Sequence, residues 1–408
     1  MESIETNNYS TSLIVIVRRY NPFNSQRPAN PSFFVGREDE LKRFDIALSQ
    51  TMHGSPMNMC ITGNRGIGKT SLLRKMESLS HESDCLIFSL TNYDGTMKEI
   101  PELINNIIIG IKHSMSNNKP FGDKRWKIAE WLKSLRPTFS YMDVSVEISY
   151  EERRFAAQGI LKNTLLELWE KASKDYSAII LMIDEAESFE NIDGSFRFLR
   201  EVFQGLSHDA KYMLILSGKL NFQDKLSEAF SPLCRFMPTF ELDNFTLEET
   251  IDFITKTLAS VEVTVDENTI VNIFEKSQGH PFIVVKICEM IFNELSEDEN
   301  QILNQHYERG INVAIDDINR HFFHPMFHPL SPKAKKILVT LTDLNKKSFS
   351  FSEAQKVSKI PKNSLSPYLS ECVKKGCLNK PKRARYEIFH HLFIEFLKDK
   401  KDEVLMSS

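Results

Sequence analysis

Apolar positions along the chain follow two different spacings. Short continuous apolar runs at Met57–Thr62, Cys85–Leu90, Ser177–Ile183 and Tyr212–Leu216 predict buried strands, with a last short one at Phe240–Leu242. Helical spacing fills the intervals, over Ser71–Leu79, Pro101–Met115 and Phe155–Ala172, and a further helix is expected around Leu41, Phe44, Ile46 and Leu48. Strands alternating with helices predict a parallel sheet with helices on both faces. Residues 117–150 interrupt this order. They read as an inserted helix carrying Trp126 and Trp131, followed by a small hairpin in which Val144, Val146 and Ile148 alternate.

From Thr246 to Leu295 the strand signals stop, and Thr246-Leu-Glu-Glu249 has the form of a capping box opening a helix. A separate unit follows at 331–400. It reads as a helix Ala334–Leu341, a second helix at Phe351–Ser358 capped by Ser352, a third at Ser364–Lys375, and two short strands around a basic tip. The expected organisation is an N-terminal arm (1–31, with one short strand at Leu13–Val17), an α/β core (32–243, with the insert 117–150), a helical lid (244–300), a linker (301–330) and a winged-helix unit (331–400).

Composition narrows the class. At 408 residues, with 41% hydrophobic and 26% charged, the chain is globular with two or three domains, and a disordered or collagen-like chain is excluded. No apolar run approaches the roughly 20 residues that span a bilayer. The acidic start Met1-Glu-Ser-Ile-Glu5 does not resemble a secretory signal. Six cysteines with no CxxC pair are expected to be reduced, buried thiols, which suggests a cytoplasmic setting. Charge adds an asymmetry. Residues 331–400 hold 16 Lys and Arg against 6 Asp and Glu, a local charge of +10 in a chain whose net charge is −4. A basic module on an acidic body suggests that the module alone faces a polyanion.

The strongest chemical signal is Gly63-Asn-Arg-Gly-Ile-Gly-Lys-Thr70, a complete G-x4-G-K-[ST] loop between a predicted strand and a predicted helix. Backbone N–H groups must converge on a phosphate there, and glycines let the chain close around it. Lys69 is expected to bridge the β- and γ-phosphates, and Thr70 to place its hydroxyl on Mg²⁺. Gly63, Asn64, Arg65, Gly66, Ile67, Gly68, Lys69, Thr70 and Ser71 are thus the expected ATP contacts. The second half is Ile179–Asp184-Glu185, an apolar strand ending in two carboxylates. Asp184 is expected to hold Mg²⁺ and Glu185 to polarise the attacking water. Ser217, at the end of the Tyr212–Leu216 strand, is a candidate for positioning that water or is a plain turn serine. Arg235 either reaches a neighbouring subunit's γ-phosphate or is a solvated loop arginine.

Phe34-Val-Gly-Arg-Glu-Asp-Glu-Leu41, the phosphate loop, ILMIDEAE, LILSG, the Arg235 loop and Gly279-His-Pro281 together resemble the AAA+-like ATPases of the STAND and archaeal-ATPase group, which are similar to origin-recognition initiator ATPases. The resemblance covers about residues 32–400. It implies a P-loop sheet sandwiched by helices, a helical lid and a winged helix. It also implies adenine contacts from Val35 and Gly36, and places His280 and Pro281 close to the base or β-phosphate. No sensor arginine is evident in the lid.

The winged helix implies a third helix that can enter a major groove. Lys362, Asn363, Ser364, Ser366 and Tyr368 are candidates there, and Lys380, Lys382, Arg383 and Arg385 on the wing are candidates for DNA phosphates. Two readings follow. One is a nucleotide-driven switch ATPase that assembles, as a homo-oligomer, on duplex DNA. The other is a regulatory ATPase for a separately encoded effector protein, for example in antiviral defence, with the winged helix as a protein-binding or autoinhibitory module.

Overall fold

The computed structural model of the chain describes residues 20–91, 97–117, 122–134, 150–220, 222, 233–382 and 384–406. The expected strand at Leu13–Val17 and hairpin at 144–148 lie outside them. The core is a five-stranded sheet of β1 (Met59–Gly63), β2 (Leu86–Thr91), β3 (Ile179–Asp184), β4 (Tyr212–Gly218) and β5 (Thr239–Leu242), in the order β2-β3-β4-β1-β5. Every pairing is parallel. Parallel strands are covered on both faces, which is why they read as unbroken apolar runs. β1, β3 and β4 are buried at every position.

Apolar side chains gather on each face of this sheet. Phe44, Ile61, Leu72 and Ile180 belong to one layer, and Phe88, Leu103, Leu165, Leu181 and Phe198 to the other. The helix Gly122–Ser134 of the insert adds Ile128 and Leu132 to the second layer, and Trp131 packs beside them under Lys171. Burial pushes the Cys60 thiol up to about 12 and the Cys85 thiol up to about 11, so both stay protonated and unreactive.

The lid is three helices, Leu247–Ala259, Glu267–Ser277 and Pro281–Phe292. The capping box at Thr246 and Glu249 is present. Strand structure does not stop there, however. β6 (Thr264–Val265) pairs in parallel with β7 (Gln301–Ile302), two residues each and too short to leave an alternation in the sequence. The stretch expected as a linker is helical from Asn304 to Phe327, with a π-turn at Asn319–Phe323.

The C-terminal module comprises helices Pro332–Leu341, Phe351–Ser358, Lys362–Lys374 and His391–Asp399, and a sheet of β8 (Ser348–Ser350), β9 (Leu378–Lys382) and β10 (Arg385–Ile388) in the order β8-β10-β9. β8, three residues long, is too short to show in the apolar pattern. The cap of the second helix is Ser350, not Ser352. Its hydroxyl accepts from the Glu353 N–H, while the Glu353 carboxylate accepts from the Ser350 N–H.

The module does not have a core of its own. Lid residues such as Ile283 and Ile287, helix residues Phe322 and Phe323, and module residues Leu338, Leu369 and Phe393 form one continuous apolar cluster. Phe323 sits at its centre, 0% exposed, with ring centroids 5.2 Å from Phe393 and 6.0 Å from Phe396. Phe323→Ala should therefore cost about 3–5 kcal/mol. Urea unfolding should show the lid and the module losing structure in one transition. Two separated transitions would contradict a shared core.

Candidate nucleotide site

The sheet brings the two sequence motifs together. β1 and β3 flank β4, so the loop after Gly63 and the carboxylates after Ile183 emerge side by side at the carboxyl edge. The loop turns directly into the helix Lys69–Glu82, whose first N–H groups and dipole favour an anion. Gly68 has φ +98°, and a Cβ there would meet nothing within 4 Å. The loop thus leaves open space where a phosphate would sit, in a backbone conformation that favours glycine.

Thr70 donates from its hydroxyl to Asp184 Oδ2 at 2.5 Å. The other carboxylate oxygen accepts from the Glu185 N–H at 3.0 Å and from the Ser217 hydroxyl. Asp184 is therefore held by the first turn of the helix Lys69–Glu82, by Glu185, the next residue, and by the end of β4. Lys69 folds back onto its own loop, its Nζ donating to the carbonyls of Gly63 (2.8 Å) and Asn64 (2.9 Å). Burial lowers its pKa, with Glu187 and Asp184 acting against that shift.

Glu185 has φ +56°, a rare conformation for a residue with a side chain, and such outliers gather at functional sites. Its pKa is raised, first by burial and then by Glu187 and Asp184. A carboxyl poised in this way is suited to accept a proton from water. Glu187 is a member of the site that the motifs do not mark. It pairs with Lys219 at 3.3 Å, and its Oε2 is buried with no hydrogen-bond partner. That orphaned oxygen, with Asp184 and Thr70, fits a hydrated Mg²⁺, which takes one or two carboxylates plus waters and phosphate oxygens. The clue in the sequence is the acidic run Asp184-Glu-Ala-Glu187.

A cavity of about 1160 Å³ opens above the loop. Val35 lines it, whereas Gly36 does not; Gly36 has φ +73° and turns the chain beside Glu249. The next residue, Arg37, is a second member without a motif. It is 7% exposed, donates to the carbonyls of Asp243 (2.5 Å) and Ile67 (3.3 Å), and lies over the Phe245 ring. It joins the entry segment, the phosphate loop and the end of β5. The arm crosses the same cavity. Asn21 and Ser25 bond to Glu289 on the lid, Phe23 is buried between Phe253 and Phe292, and the Ala29 N–H donates to Ser71 Oγ.

Gly279 has φ +69°, and a Cβ would stand 2.0 Å from the Phe245 carbonyl, so only glycine makes this turn. The turn places His280 differently from expectation. Pro281 lines the cavity, but His280 lies beneath the loop, with Nε2 3.0 Å from the Arg65 carbonyl. That partner can only accept, so Nε2 carries the proton and Nδ1 is bare; Nδ1 is buried without a partner. Phe282 N–H donates to the Gly66 carbonyl at 3.2 Å. Phe322, from the π-turn, stacks on Phe282 at 4.4 Å and lies under Arg65 at 5.4 Å. Arg235 is exposed, on the short helix Leu233–Phe236, and is not part of the cavity wall.

Among the described residues no group of three or more His, Cys, Asp and Glu could hold a metal ion by itself. No helix among them is long and apolar enough to cross a membrane.

Residues 34–216 match a family model described as an AAA ATPase domain. The chain carries an AAA-type ATPase domain. Across nearly its whole length the ATPase is 23% identical to an uncharacterised HTH-type transcriptional regulator of Methanocaldococcus jannaschii, over 375 residues that cover 89% of this chain and 88% of the relative. A Walker-type ATPase of Pyrococcus abyssi shares the fold, with a TM-score of 0.55 at 19% identity, over 90% of this chain and 96% of that one.

The histidine beneath the ATPase's phosphate loop makes stability depend on pH. Burial lowers the pKa of His280 from 6.5 to about 4, with Lys69 and Lys347 adding to the fall and the Arg65 carbonyl opposing it. His390 falls to about 2, through burial and then His280 and His391. A depressed histidine takes up its proton more readily when unfolded, so stability present at pH 7 is lost as pH falls below about 6.5 towards 4. Urea unfolding at pH 7.5, 6 and 5 should show this loss, and His280→Gln should flatten it. An unchanged slope in the variant would remove His280 from the account.

Proposed function

We propose that this chain is an ATP-hydrolysing molecular switch whose nucleotide state controls assembly on duplex DNA. The observation that carries it is the Thr70–Asp184–Ser217 hydrogen-bond group beside the phosphate loop, in a cavity that the C-terminal module also walls. In this reading Lys69 and the loop N–H groups hold the phosphates. Thr70, Asp184 and Glu187 would hold Mg²⁺, which would neutralise charge on the phosphates. Glu185 takes the proton of the attacking water, and Ser217 keeps Asp184 in place. Lys219, paired with Glu187, lines the same cavity and adds a positive charge for the phosphates. Arg235, exposed and away from its own cavity, would serve a neighbouring copy in a homo-oligomer.

The DNA part rests on three supports. The module is basic. Its helix order and three-stranded sheet suit a winged helix, with Lys362, Asn363, Ser364 and Ser366 exposed along the third helix. The Methanocaldococcus relative is named as an HTH-type transcriptional regulator. Within the candidate set, Tyr368 is half-buried and packs on the shared core, Lys380 lines the nucleotide cavity, and Arg385 is exposed. Arg383 lies outside the described residues. Lys382 is a candidate whose side chain the structure does not describe, and among the described side chains Lys362 and Arg385 are the cations best placed for phosphate.

Lys69→Ala should abolish ATP binding, and Glu185→Gln should keep binding while slowing hydrolysis by at least about 100-fold. Wild-type turnover in Glu185→Gln would reject the assigned base. For DNA, anisotropy of a labelled duplex across a salt series should show Lys362→Ala/Arg385→Ala with a slope of log K against log salt shallower by about two, one for each phosphate that the variant no longer neutralises. An absence of duplex binding by the parent protein would favour an effector protein as partner.

A further inference from the structure

The cavity above the phosphate loop has a charge distribution that the ATPase core does not explain. Among the described residues, eight basic side chains line it against four carboxylates, Asp184, Glu185, Glu187 and Glu241. All four carboxylates belong to the core. Five of the bases come from the core or the arm, so that side alone is nearly balanced. The remaining three, Lys374, Lys375 and Lys380, come from the C-terminal module and account for most of the excess positive charge.

Their positions are set by the fold. Lys374 ends the helix Lys362–Lys374, Lys375 caps it, and Lys380 lies on β9. The helix and β9 are anchored by Leu369, Cys372, Cys377 and Leu378, each at most 1% exposed. The lysines are exposed and, among the described residues, have no ion-pair partner. An anion bound in the cavity would find these three positive charges without a competing carboxylate partner. The anion at hand is the triphosphate of the nucleotide.

We propose that Lys374, Lys375 and Lys380 are a second phosphate-binding group for the bound nucleoside triphosphate, acting from the C-terminal module in the same chain. ATP then holds the module against the core by its own charge. The wing lysine Lys380 is engaged with nucleotide, and withheld from any external polyanion, while the triphosphate is present. This rests on the ATPase reading and does not require that the module bind DNA.

The test is binding of a fluorescent ATP analogue, its ADP counterpart and adenosine at two salt concentrations. In Lys374→Ala/Lys375→Ala/Lys380→Ala, ATP affinity should fall about tenfold, since each exposed pair contributes a factor of about two to five. ADP affinity should fall less, and adenosine affinity should not change. The Arg triple variant should restore ATP binding and the Gln triple variant should not. Lys333→Ala/Lys336→Ala, which removes exposed charge from the module away from the cavity, should bind ATP as the parent does. Amine-reactive labelling read by mass spectrometry gives a second readout on the unaltered chain: ATP should protect Lys374, Lys375 and Lys380 but not Lys333 and Lys336. Parent-like ATP affinity in the Ala triple variant, or labelling unaffected by ATP, overturns the proposal and leaves the ATPase reading standing. A parent protein that binds no ATP overturns both.

Discussion

The tip of the phosphate loop has no room beside it, and much of the architecture follows from that. A Cβ on Gly66 would stand 2.9 Å from both His280 and Phe282 and 3.3 Å from Phe322. The loop that grips phosphate is thus itself gripped by the lid and by the helix leading into the C-terminal module. Its geometry is set by more than its own strand and helix. The backbone carbonyls of Arg65 and Gly66 are tied to the lid, and any change in the loop is felt there first.

The sheet and the phosphate site are legible in the sequence for a physical reason. Strands buried on both faces leave continuous apolar runs, and Ile179–Asp184 could hardly be anything else. The glycines and Lys69 are dictated by local chemistry, which a linear motif records well. What stays hidden is set by distance. Arg37 looks like one more charged residue at a helix start until its guanidinium is seen between Asp243 and Ile67. Glu187 and Lys219 face each other only because β3 and β4 are neighbours.

The C-terminal region shows the same limit. Helices Pro332–Leu341 and Lys362–Lys374 are visible from their spacing, but their apolar faces give no sign of what covers them. A charge excess of +10 suggests a module facing outward. Part of that charge instead turns towards the nucleotide cavity, because the lid and module share one core and close over the loop together.

The π-turn at Asn319–Phe323 has a mechanical side. Successive residues of a helix point about 100° apart, so neighbours can serve different partners. Phe322 reaches down to Phe282 and Arg65, while Phe323 reaches into Phe393 and Phe396 of the helix His391–Asp399. Two adjacent rings on one rod thereby reach the loop's underside and the module's core, and Phe322 also packs against Phe389 of the module. Any rotation of that rod would move both rings together, so the underside of the phosphate loop and the core of the module are coupled through one short stretch of backbone.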